Sequence, residues 1–278
     1  MCFENIDARN VKFVCDEGFV YLKFNILEEY ETKFIHAFTT RIGGVSEGNC
    51  ATLNLGFQTG DAYEDVMKNY KILGDKFHIN VNNIVFSKQV HEDKVRIVTE
   101  EDTKNGFGTR DSLMEFDAMV TDAKNVVLMA FFADCVPVFF YDPVKNVVGI
   151  AHSGWRGTVK NISSKVIDAL EENYGSKAAD IKVAIGPSIG YCCFEISEDV
   201  YLDFKKVFNN ENNYRSVGNG KYNIDLWSII TENLIERGLR ENNIVNSNIC
   251  TKCNTDVFFS YRGQGGSTGR LAGLISII

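Results

Sequence analysis

Residues 126–157 read VVLMAFFADCVPVFFYDPVKNVVGIAHSGWRG. Three near-continuous apolar runs, at 126–132, 136–141 and 146–151, fill most of this stretch. Such runs suit strands covered on both faces better than strands with one wet side. Its most apolar part, Val126 to Tyr141, is interrupted by Asp134 and Pro137 and is shorter than the roughly 20 residues that span a bilayer. Tyr141-Asp142-Pro143 with Lys145-Asn146 predicts a turn, so the second and third runs read as a hairpin. His152 then falls just past a strand end, and Gly157 leads into a helix. On that helix Val159, Ile162, Val166, Ile167, Leu170 and Tyr174 share one face, and Gly175 ends it.

Outward from this stretch, 12–24 and 33–40 read as strands. Residues 62–78 read as a helix capped by Asp61, with Val66, Tyr70, Leu73 and Phe77 at helical spacing. Strands are expected at 84–90, 94–98, 182–186, 256–261 and 271–278. Helices are expected at 198–208 after Ser197 and at 226–237 between Asp225 and Gly238. Strands and helices mix without regular βα alternation, which predicts a single α+β domain over 1–278 rather than a doubly wound fold. No Gly-x-Gly-x-x-Gly follows a first strand.

The chain has 278 residues, eight cysteines, four histidines and a formal charge of −8. It is long enough to bury a core without disulfide staples. Its acidity argues against a nucleic-acid partner, which would need a basic stripe. The start, Met1 to Asp7, lacks the basic and apolar regions of a signal peptide. A cytoplasmic protein with reduced thiols and no membrane attachment is therefore expected.

Chemistry is expected where rare ligand types meet small, polar context. Gln89-Val90-His91, Ala133-Asp134-Cys135 and His152-Ser153-Gly154-Trp155-Arg156-Gly157 are the three such stretches. His91, Cys135 and His152 lie 44 and 17 residues apart, which is not the local spacing of a zinc finger. They would have to come from three separate strand ends. Two imidazoles and a thiolate leave a fourth position open, the layout of catalytic zinc. The same residues also suit a thiol nucleophile, Cys135, with His152 or His91 as its base. A blue-copper reading needs an axial methionine, and the nearest in sequence is Met129. Asp134 within an apolar run needs a partner; it is a candidate proton-transfer or ligand-orienting carboxylate. Cys250-Thr251-Lys252-Cys253 is a lone C-x-x-C without a second pair to complete four ligands, and it is read, like Cys192-Cys193, as structural or incidental. His36, in an alternating strand, and His78, at a helix end, are not counted as ligands. Arg41 in Thr39–Ser46, Arg156, and the loop Tyr261–Arg270 together predict an anion-binding pocket.

In order along the chain, Thr39-Thr40-Arg41 with Gly43–Ser46, Leu53–Gly56, Gln89–His91, Asp117-Ala118, Ala133–Pro137, His152–Gly157, Ala184–Pro187, Cys192–Glu195, and Ser260–Arg262 with Thr268–Arg270 resemble the laccase-domain, or multicopper polyphenol oxidoreductase, family of purine nucleoside phosphorylases. The resemblance implies an α+β fold of layered mixed sheets. It implies a zinc site on His91, Cys135 and His152, with copper the lesser alternative. It further implies phosphorolysis of adenosine, inosine and methylthioadenosine, with adenosine deamination beside it. On this reading Cys135, His91, His152 and Asp134 are catalytic, and Arg41, Asn54, Gln89, Arg156 and Arg270 contact the purine nucleoside or phosphate in a monomer or homodimer. The chain departs from the family in carrying Gly263 where a second arginine is usual, Ser153 for alanine, and Ser188 for cysteine. Polyphenol oxidation by copper and hydrolysis through a Cys135 adduct are the rival activities. A binding module without turnover is the third.

Overall fold

The structure, a computed structural model, describes residue 6, residues 8–105 and residues 114–278. Apart from residue 6, the Met1 to Asp7 segment lies outside them. One six-stranded sheet runs, in spatial order, β1 (Val11–Asp16), β2 (Phe19–Phe24), β3 (Phe34–Thr39), β15 (Leu271–Ile277), β7 (Val127–Phe132) and β4 (Ile84–Val85). A second runs β14 (Ile244–Asn246), β10 (Lys182–Ile185), β8 (Val136–Asp142), β9 (Val147–Ser153), β6 (Ala118–Thr121) and β5 (Val95–Ile97). A small third sheet holds β11 (Glu195–Ser197), β13 (Lys221–Ile224) and β12 (Tyr214–Gly218). The helices are α1 (Asn25–Glu28), α2 (Tyr63–Phe77), α3 (Trp155–Val159), α4 (Ile162–Tyr174), α5 (Glu198–Lys205) and α6 (Leu226–Glu236). Most ladders are antiparallel; β4 with β7, β5 with β6, and β10 with β14 are parallel.

The alternation of side chains along a strand shows why the apolar runs are continuous. On β7, Val127 and Met129 face α2, packing with Val66, Tyr70 and Leu73. Leu128, Ala130 and Phe132 turn the other way, into a core shared with Phe139, Tyr141, Val148 and Ile150 of the second sheet. On that sheet's far face, Val136, Val138, Phe140 and Val147 meet Val166 and Leu170 of α4 and Ile229 and Ile230 of α6. The chain is thus layered helix, sheet, sheet, helix, and both faces of each central strand are dry. The α+β expectation holds, and so does the hairpin, with β8 and β9 paired from Val136↔Ser153 to Asp142↔Val147.

Other boundaries differ for local reasons. The run 12–24 breaks into two strands at Glu17-Gly18, both in left-handed backbone. The expected strand 84–90 stops at Val85, because the chain then leaves the first sheet for the second. The expected helix after Gly157 is two helices, interrupted at Asn161, whose φ is 58°. Residues 256–261 form no strand: Val257 and Phe258 both donate to Asn254 O, a turn that buries their side chains. Asp61 and Ser197 do not cap their helices through the side chain, whereas Asp225 does, accepting from Ser228 N. No helix among the described residues is long and apolar enough to cross a membrane.

His36 lies between Phe24 and Phe34 in the intersheet core and is 1% exposed. Burial, and then the charge of Lys23, lower its pKa to about 3. Phe24 N donates to Nε2 at 3.0 Å, a bond that needs the unprotonated nitrogen. A histidine held neutral in the fold titrates near 6.5 when unfolded. Its contribution is therefore complete above that pH and is lost as pH falls from about 6.5 toward 3. Between pH 7 and 5 the wild type should lose about 2 kcal/mol more stability than His36→Gln, read from urea midpoints.

Candidate metal centre and its cavity

The sheet order places the site. β7 belongs to the first sheet and β8 to the second, so the chain crosses between them at Ala133-Asp134-Cys135. Likewise β4 and β5 lie in different sheets, and His91 sits on that second crossover. His152 is the penultimate residue of β9, inside the strand rather than past it, and its β8 partner is Pro137. The hairpin register thus sets His152 beside Cys135.

Donor atoms of His91, Cys135 and His152 all lie within 4.8 Å of one another. The two imidazoles cross edge to face, with centroids 4.9 Å apart. Gly154 closes over them: a Cβ there would lie 3.0 Å from His91 Cδ2 and 3.2 Å from Cys135 Sγ. Burial opposes charge on Cys135, yet His152 and His91 bring its thiol down to about 6. For His152 burial again opposes charge, and Cys135 and Asp117 raise it to about 9. The thiol is thus poised to ionise, as a metal ligand or a nucleophile must.

Asp117, just before β6, organises the whole cluster. It is buried, and its oxygens accept the backbone amides of Val90, His91 and Glu92 at 3.2, 3.0 and 2.8 Å. Its Oδ1 also lies 2.9 Å from His152 Nδ1. A carboxylate accepts, so Nδ1 carries the proton and Nε2 is left for the cluster. Burial raises the Asp117 pKa, but His152 and the backbone donors outweigh that and lower it overall. His91 has a φ of 61°, a strained conformation for a side-chain-bearing residue, and Asp117 grips the amides on both sides of it. In sequence Asp117 was visible only as part of a matching motif. The signal for its role is a carboxylate directly before an apolar strand.

The cluster opens into a cavity of about 890 Å³. Phe57, Phe86, Phe131, Trp155, Phe194 and Tyr261 supply aromatic wall. Lys88, Arg156, Arg262 and Arg270 are its cationic residues, and Asp134 is the lone carboxylate among the lining residues. Both Asp134 oxygens are engaged, by Thr251 Oγ1 at 2.6 Å and Arg262 N at 2.7 Å. These bonds tie the crossover to the two C-terminal loops and hold Asp134 at its φ of 89°. In an acidic chain, cations gathered around a low-dielectric cavity focus anions there.

The sequence-derived contacts divide. Arg156 lines the cavity, with its guanidinium 4.2 Å over the Trp155 ring and no carboxylate partner among the described residues. Arg270 lines it too, with Nη1 donating to Thr268 O and Gly269 O. Gln89 lines it, but its amide is spent on both backbone groups of Phe131. Arg41 does not line it: its side chain donates to Ala51 O and Thr255 O and lies over Phe259. Asn54 is also elsewhere, bonding Gly56, Thr59, Asp61 and Arg270 N to shape its own loop. Met129 packs on the α2 side of β7, in a core separate from the cluster. The family departures are accommodated. Ser188 Oγ accepts from Trp227 Nε1 at 2.6 Å, and a Cβ at Gly263 would meet Thr255 Cγ2 at 2.8 Å. The reading of Cys250–Cys253 as lacking a second pair is corrected: Cys192 and Cys193 lie against it.

Known proteins share this architecture and sequence. A crystal structure of the Bacillus licheniformis hypothetical protein YfiH superposes with a TM-score of 0.89 at 33% identity, covering 96% of this chain and 99% of that one. The purine nucleoside phosphorylase YlmD of Bacillus subtilis is 37% identical over 248 residues, 87% of this chain and 88% of the relative. The purine nucleoside phosphorylase of Bacteroides thetaiotaomicron is 32% identical over 259 residues, 92% of this chain and 96% of the relative. Residues 35–278, which carry both crossovers, both histidines and the cysteine between them, match the family described as multi-copper polyphenol oxidoreductase laccase, and the chain belongs to that family.

Proposed function

We propose that this chain is a zinc-dependent purine nucleoside phosphorylase, folded as one domain over 1–278. In this reading it acts on adenosine, inosine and methylthioadenosine, deaminates adenosine as a further activity, and works in the cytoplasm. The observation that carries the reading is a Cys-His-His donor set at one end of a cavity with aromatic walls and cationic residues. The named phosphorylase relatives support the same reaction class.

The donor set fits zinc. Asp117, His152 and Cys135 alone would resemble a nucleophile, base and orienting-acid array. The second imidazole, His91, is surplus to such an array, whereas three converging ligands suit a metal. Histidine oriented by a carboxylate is the usual support of a zinc ligand. Copper fits less well, since Met129 packs in another core. His91, Cys135 and His152 would hold the zinc, which would supply Lewis acidity to the cavity.

In phosphorolysis a phosphate oxygen bonds to the anomeric carbon as the glycosidic bond breaks. The bonding electrons leave with the purine, the proton that phosphate gives up as it forms the ester ends on the purine, and the 1-phosphate of ribose (of methylthioribose from methylthioadenosine) remains. Arg156 and Arg270 hold the phosphate by charge-assisted bonds. The aromatic walls flank the purine and exclude water. Asp134 and Gln89 act as positioning residues, fixing the two segments that carry the cluster. Arg41 and Asn54 act from outside the cavity: Asn54 Oδ1 accepts from Arg270 N and so helps seat Arg270, and Arg41 ties Ala51 O to Thr255 O.

Adenosine incubated with and without phosphate tests the proposal. Adenine that appears only with phosphate is the expected product, and inosine in either tube reports deamination. If neither base nor inosine forms, the reading fails. Arg156→Ala should raise the KM for phosphate about tenfold to a hundredfold, the worth of a hydrogen bond to a charged group. The KM for nucleoside should move less, as steady-state kinetics with each substrate varied would show.

A further inference from the structure

Outside the cavity, the structure brings four cysteines to one point. We propose that Cys192, Cys193, Cys250 and Cys253 form a second metal centre, a closed tetrathiolate site for one zinc ion. Their sulfurs all lie within 4.8 Å of one another. Cys253 Sγ is 3.6 Å from Cys192 Sγ and 3.5 Å from Cys193 Sγ. Four thiolates around zinc at about 2.3 Å would stand about 3.8 Å apart along each edge of the tetrahedron. The observed spacings are thus near that edge and far from the roughly 2 Å of a disulfide.

The backbone is built for the cluster. Cys193 N and Phe194 N both donate to Gly190 O, a turn that presents Cys192 and Cys193. Asn254 Nδ2 donates to Cys250 O and Asn254 N to Thr251 O, a turn that presents Cys250 and Cys253. A bridge between Ser188 and Cys250 holds the turns together, with Ser188 N donating to Ile249 O and Thr251 N to Ser188 O. Gly190 N then donates to Cys250 Sγ at 3.3 Å, the kind of bond that stabilises a thiolate. A side chain at Gly190 would crowd the turn: its Cβ would lie 2.9 Å from the Trp227 ring and 3.2 Å from Cys250 Cβ. Cys192 and Cys253 are exposed, which gives the ion a way in.

Four sulfur ligands leave no open position, so this ion would be structural. Its place explains what it would hold. One turn follows Ile189 and leads to Phe194, both cavity residues, and the other contains Thr251, the partner of Asp134. The ion would clasp the wall of the cavity without touching substrate.

Metal analysis of the whole chain, purified under reducing conditions, tests this. Cys135→Ala removes the cavity site as a contributor and should retain one equivalent of zinc. On that background Cys253→Ser, at an exposed position, should lower zinc to none. Cobalt substituted into Cys135→Ala should give the intense thiolate-to-metal charge-transfer and visible bands of a tetrahedral tetrathiolate. Zinc-free Cys135→Ala that takes up neither zinc nor cobalt would overturn the proposal, as would a disulfide between two of these cysteines in active wild-type protein purified without added oxidant. Phosphorolysis by the wild type is read separately, so the fate of the cavity reading is independent of this one.

Discussion

Cys135→Ala is expected to lower kcat/KM for phosphorolysis about a thousandfold and to cost the protein one equivalent of zinc. The magnitude follows from the several kcal/mol that a Lewis acid contributes, since about 4 kcal/mol corresponds to a factor near a thousand. The stability cost should be small. Cys135 is a short side chain at a crossover rather than a core anchor, and only a thiol is removed. The loss of metal separates the two roles open to this residue. A nucleophile's removal abolishes turnover and leaves metal content as it was. A ligand's removal lowers both together. Chelation gives the complementary result: wild type stripped of metal should be inactive and recover with added zinc. Stripped protein that turns over normally and carries a stable adduct on Cys135 would make it a cysteine hydrolase instead.

The same residue marks how far the sequence could be read. His91, Cys135 and His152 stood out because the chain has only four histidines and each residue sat near the end of an apolar run. The fold turns the first two positions into crossovers between two stacked sheets and keeps His152 within the end of β9, where the hairpin register brings it to them. The hairpin at 136–151 was legible because a strand buried on both faces has no polar alternation to obscure it. Residues 256–261 misled for the same reason. Val257, Phe258 and Phe259 are as buried as any strand, but the amides of Val257 and Phe258 serve a turn, and apolar content alone does not distinguish the two. Arg41 differs: a guanidinium in a glycine-rich loop can serve an anion or the carbonyls of neighbouring segments, and here it donates to Ala51 O and Thr255 O. The four-cysteine cluster was hidden because its halves lie 60 residues apart in sequence and are brought together by long-range contacts such as the Ser188 bridge.

Asp117→Asn should weaken the centre about tenfold to a hundredfold, less than loss of a ligand does, although Asp117 need not touch substrate. The wild-type carboxylate accepts from three amides and from His152 Nδ1, so all of its work is acceptance. Asparagine keeps the shape but replaces one acceptor oxygen by an NH2 group. Whichever way the amide turns, a donor faces either the Val90–Glu92 amides or His152. Buried donors without acceptors cost about 1–3 kcal/mol each, which should appear as a lower urea midpoint. With the NH2 group in place of Oδ1, His152 loses the partner that fixes its proton on Nδ1; in place of Oδ2, the amides on either side of His91 lose theirs, and with them the clamp on its left-handed backbone. Changes to such orienting partners weaken metal binding about tenfold to a hundredfold. Zinc affinity, measured by competition with a chelator, should fall by that factor, and kcat/KM at limiting zinc should fall with it. Excess zinc should restore part of the activity, because occupancy is one component of the loss and ligand geometry is the other. A variant that unfolds more easily yet binds zinc as wild type does would confine Asp117 to holding the loop, and the centre would then owe its geometry to the strands alone.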